Sequence, residues 1–146
     1  MAGKADKVTK GGNAECPCGK GKLVTCCGRF LSGAQVAETA EQLMRSRYSA
    51  FALGDEAYLR ATWFPDSLPD EPLTGEDDVK WIGLEVRKHQ HVKDSAEATV
   101  EFVARFKVSG RAHRLHEVSR FVRQADATGQ LRWYYVEGVF PELADD

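Results

Sequence analysis

Four cysteines fall between residues 16 and 27, as Cys16-Pro17-Cys18 and Cys26-Cys27, and the chain has no others. Thiolates in two close pairs can wrap one ion in a tetrahedron, the geometry of a structural zinc site. Gly19, Gly21 and Gly28 lie among them and permit the tight wrapping. Lys20, Lys22 and Arg29 offset the negative charge that thiolates and zinc would leave. Three other readings are open. A disulfide framework fits poorly, because no apolar leader precedes the cluster and the chain reads as cytoplasmic, where thiols stay reduced. A redox pair lacks the Cys-x-x-Cys spacing. Four unligated thiols would not need to cluster. Zinc at Cys16, Cys18, Cys26 and Cys27 is therefore the expectation. With four protein ligands it leaves no open position for activating water.

A second group of residues is a charge where a core side chain belongs. On a helical wheel Arg47 falls about 20° from Ala40, among Val36, Leu43, Met44 and Phe51. Arg45 falls on the solvent side. A guanidinium aimed into a core needs a partner. The segment 115–121 offers one: Leu115, Glu117, Ser119 and Phe121 share a strand face, against His116, Val118, Arg120 and Val122 on the other. The expectation is an interior Arg47–Glu117 ion pair, hydrogen-bonded further by Tyr48, Ser119 or a tyrosine of the last strand. Such a pair either fixes the register of helix and sheet or forms the polar floor of a pocket. His89, His91, His113 and His116 read as strand-surface residues. His89-Gln90-His91 has two ligand groups on one face but no evident third. Trp63, Trp81 and Trp133 read as core.

These groups need elements to hold them. The 146 residues, 42% hydrophobic, suffice for one domain with a core and a small appendage. No apolar run is long enough to span a membrane. Residues 1–30 carry a net charge of +4 and the remainder −6. Residues 1–14 read as a disordered basic tail, 15–30 as the knuckle and 31–146 as an α+β domain. The acidic body is not a nucleic-acid platform; the basic arm is a solvated tail or touches an acidic partner. Residues 34–53 have helical periodicity, closed by Gly54, with Asp55 placed to cap a second helix. There Tyr58, Leu59, Thr62 and Trp63 share a face, and Pro65 stops it. The stretch 65–78 is an acidic loop with room for a short helix near 74–79. The period then becomes two: Ile82, Leu84 and Val86; Val100, Phe102, Ala104, Phe106 and Val108; a third strand over 113–123; a fourth over 131–139, with turns at Ser109-Gly110 and Ala127-Thr128-Gly129. Two helices before an antiparallel meander give an α+β fold with helices packed on the sheet.

The run Cys16-Pro17-Cys18-Gly19-Lys20-Gly21 followed by Cys26-Cys27-Gly28 resembles the SEC-C motif, a small zinc knuckle found at the C-terminus of the SecA ATPase. It departs in having seven residues between Cys18 and Cys26, one fewer than usual, and Leu23-Val24 near the usual aromatic. The order of helices and strands resembles the nuclear transport factor 2-like cone. The whole chain resembles the YchJ family, which joins the two, through residues 43–51, Trp81-Ile82-Gly83-Leu84, residues 102–106, residues 116–121 and residues 133–138. The resemblance implies structural zinc and docking on a protein partner through the knuckle, with nucleic acid as the lesser possibility. The alternative is a small-molecule-binding protein or enzyme using the polar interior of the cone, although no spacing supports a particular reaction. A Glu117 with raised pKa in an open, partly apolar cavity would favour the second reading, with Glu117 as acid/base and Arg47 as anion-binding group, and a sealed cavity the first.

Overall fold

A computed structural model describes residues 14–74 and 79–141. The expected basic tail lies outside the described residues, apart from Ala14. So does most of the short helix proposed near 74–79, and Val79 itself is already in a strand.

The helices are α1 (Gly28–Leu31), α2 (Ala40–Leu53) and α3 (Glu56–Ala61); the strands are β1 (Val79–His91), β2 (Glu97–Val108), β3 (Arg111–Ala125) and β4 (Leu131–Val139). All four strands form one antiparallel sheet in chain order. The α+β cone of two helices on a meander is thus as expected.

Helix α2 begins at Ala40, six residues later than periodicity alone implies. The reason is local. Thr39 accepts a hydrogen bond from the Gln42 amide at 3.1 Å, and the Gln42 side chain accepts from the Glu38 amide at 2.7 Å. This reciprocal cap outcompetes further helix on the N-terminal side. Gly54 closes the helix in the left-handed conformation, and Asp55 caps α3 by accepting from the Tyr58 amide. Helix α3 stops at Ala61, before Pro65, because Trp63 leaves to bridge Tyr135 of β4.

Two irregularities re-aim side chains. In β1 the register slips between Trp81 and Gly83, so Trp81 and Leu84 face the core cluster and Ile82 is exposed. The expected Ile82–Leu84–Val86 alternation therefore fails at its first member. In β4 the register slips at Val136: Phe121 pairs with Tyr135, but Ser119 pairs with Gly138. Such a bulge reverses which residues point inward. Glu137 turns out to solvent and Gly138 turns in.

The core is continuous from the knuckle into the cone. Cys16, Cys18, Leu23, Cys27 and Phe30 belong to one buried cluster with Leu43, Met44, Val100, Phe102, Phe121 and Trp133. Helix α2 lies between knuckle and sheet, and for that reason is buried almost all round, including Ser46 and Ser49.

Candidate functional site

The knuckle is built by a tight reversal. The Cys16 amide donates to the Gly21 carbonyl at 2.7 Å, the Gly19 amide to the Cys16 carbonyl at 2.9 Å, and Glu15 bridges Lys22. A single turn of 3-10 helix at Leu23–Thr25 then delivers Cys26 and Cys27. Gly28 is fixed by close approach: a Cβ there would sit 2.5 Å from the Leu23 carbonyl oxygen. The four sulfur atoms lie within 4.8 Å of one another, and all four cysteines are free. Among the described residues this is the one cluster of its kind able to hold a metal ion.

The thiols sense one another strongly. Hydrogen bonds from Cys18 and then Cys27 hold Cys16 far below the usual thiol range. Cys27 is pushed far up, first by its hydrogen bond with Cys16. Cys26 is pushed up to about 12 by burial, with Cys18 adding to it. Burial and mutual hydrogen bonding thus drive Cys16 one way and Cys26 and Cys27 the other. A bound divalent ion reverses that logic by favouring deprotonated ligands. Helix α2 backs the site: Ser49 Oγ lies 3.5 Å from Cys16 Sγ, and Arg45 Nη1 donates to the Cys18 carbonyl at 3.2 Å. Arg45 was expected in solvent; the knuckle covers that side of the helix. Among the described residues His89 and His91 belong to no cluster of three metal-ligating groups. His91 Nε2 lies 2.8 Å from the Ser95 carbonyl oxygen, and His89 Nδ1 is 3.9 Å from Glu41.

Arg47, Tyr48, Glu117 and Ser119 all line one cavity of about 170 Å³ under α2. The rest of its wall is mainly apolar, and half-buried Phe51, Trp63, Trp81 and Leu115 stand at its edge. It is open to solvent rather than sealed. Arg47 and Glu117 are only 6% and 7% exposed. They do not form the direct ion pair expected from the sequence. Arg47 Nη1 instead donates to the Leu59 carbonyl at 2.8 Å and to Thr62 Oγ1 at 2.7 Å. Its guanidinium stacks 5.0 Å from the Trp63 ring and 4.6 Å from the Tyr135 ring. Glu117 Oε2 accepts from Ser119 Oγ at 2.7 Å and from Tyr135 Oη at 3.1 Å. Tyr135 therefore stands between the two charges. The physical reason is at the end of α3: Leu59 has a carbonyl without a helical partner, and the guanidinium satisfies it.

Burial dominates the titration of this floor. Arg47 is lowered to about 10 by desolvation, partly offset by Tyr135, Tyr58 and Glu117. Tyr135 is pushed well up by burial first, then by the neighbouring Glu117. Tyr58, hydrogen-bonded to Ser46 at 2.6 Å, is pushed up to about 12, also mainly by burial. Gly138 makes room for the carboxylate, since a Cβ there would occupy the space of Glu117 Oε2. The tyrosine expected from the last strand is Tyr135; sequence reasoning missed Thr62 and Gly138 as parts of the site. The Val136 bulge hides the last, because strict alternation from Trp133 would send Glu137 inward.

The fold and the cysteine cluster together define a class: a nuclear transport factor 2-like cone bearing a SEC-C type knuckle. Residues 39–138 match the family described as the middle NTF2-like domain of YchJ. A UPF0225 protein of Ralstonia nicotianae is 57% identical over 132 residues, covering 86% of this chain and 90% of that one. A UPF0225 protein of Cupriavidus metallidurans is 52% identical, covering 91% and 94%. Two solved structures are similar, both described as SEC-C motif containing proteins. One, from Psychrobacter arcticus, has a TM-score of 0.73 at 30% identity and covers 88% of this chain and 83% of that one. The other, from Rhodopseudomonas palustris, has a TM-score of 0.72 at 36% identity, with coverage of 86% and 98%. The chain belongs to the YchJ family.

Proposed function

We propose that the cone is a small-molecule-binding module and that its four cysteines hold a structural zinc ion. The observation that carries the first half is the open, largely apolar cavity with Arg47 and Glu117 buried in its wall and not paired directly to each other. A buried charge pair serving structure alone would close on itself. Concave apolar sites with a few convergent polar groups are the usual form of a ligand pocket. No reaction is assigned: the Ser119 hydroxyl on the Glu117 carboxylate at 2.7 Å does not by itself specify one.

Zinc is supported by dimensions. Four sulfurs each about 2.3 Å from a tetrahedral zinc lie about 3.8 Å apart. Cys18 and Cys26 already stand at 3.6 Å. The ion would be structural, bracing the loop against α2. Protein purified without chelator should contain one zinc per chain, with four thiols reacting only after its removal. Freely reactive thiols and no zinc would sink this half.

The cavity is tested by filling it. Ala104 is 1% exposed and lines the wall, so Ala104→Leu should occupy the space. A fragment screen read by thermal shift should give ligands that stabilise the parent but not this variant. Equal stabilisation of both would place binding elsewhere.

A second reading has its own observation. Lys20, Lys22, Val24 and Thr25 are exposed on the knuckle's outer side, a basic and partly apolar surface suited to docking on an acidic protein partner, or less well on nucleic acid. Partner capture lost on combining Lys20→Glu with Val24→Asp would support it.

A further inference from the structure

The open positions of the two buried charges define what the cavity takes. The guanidinium uses only Nη1 in hydrogen bonds; among the described residues none is made by Nε or Nη2. Glu117 uses only Oε2. That leaves a cationic donor and an anionic acceptor in the cavity wall with unused valences. Their separation is set by Tyr135, which places its ring face against Arg47 and its hydroxyl on Glu117. The two open groups therefore flank Tyr135, one over its ring face and the other at its hydroxyl.

Three further constraints narrow the ligand. The floor has one positive and one negative group, so a ligand with net charge meets an unmatched repulsion in a low-dielectric site. A phosphate or simple carboxylate would face Glu117, and an amine would face Arg47. The volume of about 170 Å³ is close to that of a cavity known to admit a benzene ring. The walls are aromatic: Trp63, Trp81, Phe102 and Phe121 join Tyr135 around the space, favouring a flat ring over an aliphatic or sugar-like one.

We propose that the cavity binds a neutral, single-ring planar compound with a hydrogen-bond donor at one end and a carbonyl-type acceptor at the other. The donor is held by Glu117 Oε1 and the acceptor by Arg47 through Nε or Nη2. This rests on the reading of the cavity as a ligand site and adds the chemical class. It also explains why Gly138 is needed: its missing side chain keeps the Glu117 carboxylate beside Ser119 and Tyr135, with Oε1 free.

The probes are 4-pyridone and 4-hydroxybenzamide, which carry donor and acceptor at opposite ends of one ring. Toluene is the apolar ring of similar size, and benzoate and inorganic phosphate are the anions. Each is titrated into isotopically labelled, metal-loaded full chain, following the indole signals of Trp63 and Trp81 by NMR. The expected result is saturable binding of a polar neutral probe, at least tenfold tighter than toluene or benzoate. In Glu117→Gln the amide oxygen keeps the Ser119 and Tyr135 hydrogen bonds and the amide nitrogen takes the open position, turning that acceptor into a donor, so affinity for that probe should fall several-fold while toluene is unaffected. Toluene or benzoate binding as well as the polar probes, or no effect of Glu117→Gln, overturns the ligand class and leaves the cavity a binding site. Failure of every probe, toluene included, to move either indole signal overturns the class and the cavity reading together.

Discussion

At the scale of residues, the separation of Arg47 from Glu117 changes what substitution should do. Removing one partner of a closed, buried ion pair costs about 3–5 kcal/mol. Here the Glu117 carboxylate receives two hydroxyl hydrogen bonds, and an amide oxygen can accept both. Glu117→Gln should therefore cost only about 1 kcal/mol, the difference between charged and neutral acceptors. Urea unfolding separates the two cases, and a loss in the larger range would mean that the charges act as a pair. Gly138→Ala should be worse than its size suggests. Its methyl would enter the carboxylate's space, and overpacking of this sort costs about 1–3 kcal/mol. A parent-like unfolding midpoint would show that β4 yields freely there. The clustering of the four cysteines and the inward face of Leu115, Glu117, Ser119 and Phe121 were both legible in the sequence. So was a tyrosine of the last strand, but Gly138 was not, because a single extra residue at Val136 reverses the alternation on which such reading depends.

At the scale of elements, α2 explains both what the sequence revealed and what it concealed. Its apolar stripe was visible, and so was Arg47 within it. The opposite side was read as solvated from Arg45. That side is covered by the knuckle, where Ser49 Oγ lies 3.5 Å from Cys16 Sγ, and by α3, where Ser46 meets Tyr58 at 2.6 Å; both serines are fully buried. Only the partner, not the helix itself, makes those residues interior. The same contact predicts how the knuckle fails. Gly28→Ala pushes on the Leu23 carbonyl, which receives the Cys26 amide at 3.2 Å. The variant should lose metal to a competing chelator markedly faster than the parent. Identical release rates would show that the turn can shift without moving its sulfurs.

At the scale of the whole molecule, the interior is rich in tyrosines that resist ionisation. Tyr58 is raised to about 12, and Tyr48 and Tyr135 are raised as well, each mainly by burial. A raised folded-state value adds stability that is intact below the unfolded value near pH 10 and is lost as pH climbs through the folded one. The chain should thus weaken steeply between about pH 10 and 12, with tyrosinate absorbance rising together with loss of structure. Tyrosinate forming well before unfolding would mean that these hydroxyls are accessible. The shared core also ties the knuckle to the cone, so metal removal should lower one common melting transition rather than erase a separate one. Two transitions, with the cone's unchanged, would show the cone to be independent.

The meander has a bearing on how the chain is made. Its strands pair in the order in which they are synthesised, so each hairpin can form as it leaves the ribosome, with little loop-closure cost. The contact between Trp63 and Tyr135 is different. It joins the end of the helical half to the last strand, and Tyr135 also touches both buried charges. Until β4 docks, Arg47 and Glu117 sit on a half-built, wet surface. During synthesis, then, the four cysteines emerge early, and the floor of the cavity is completed only when the last strand docks.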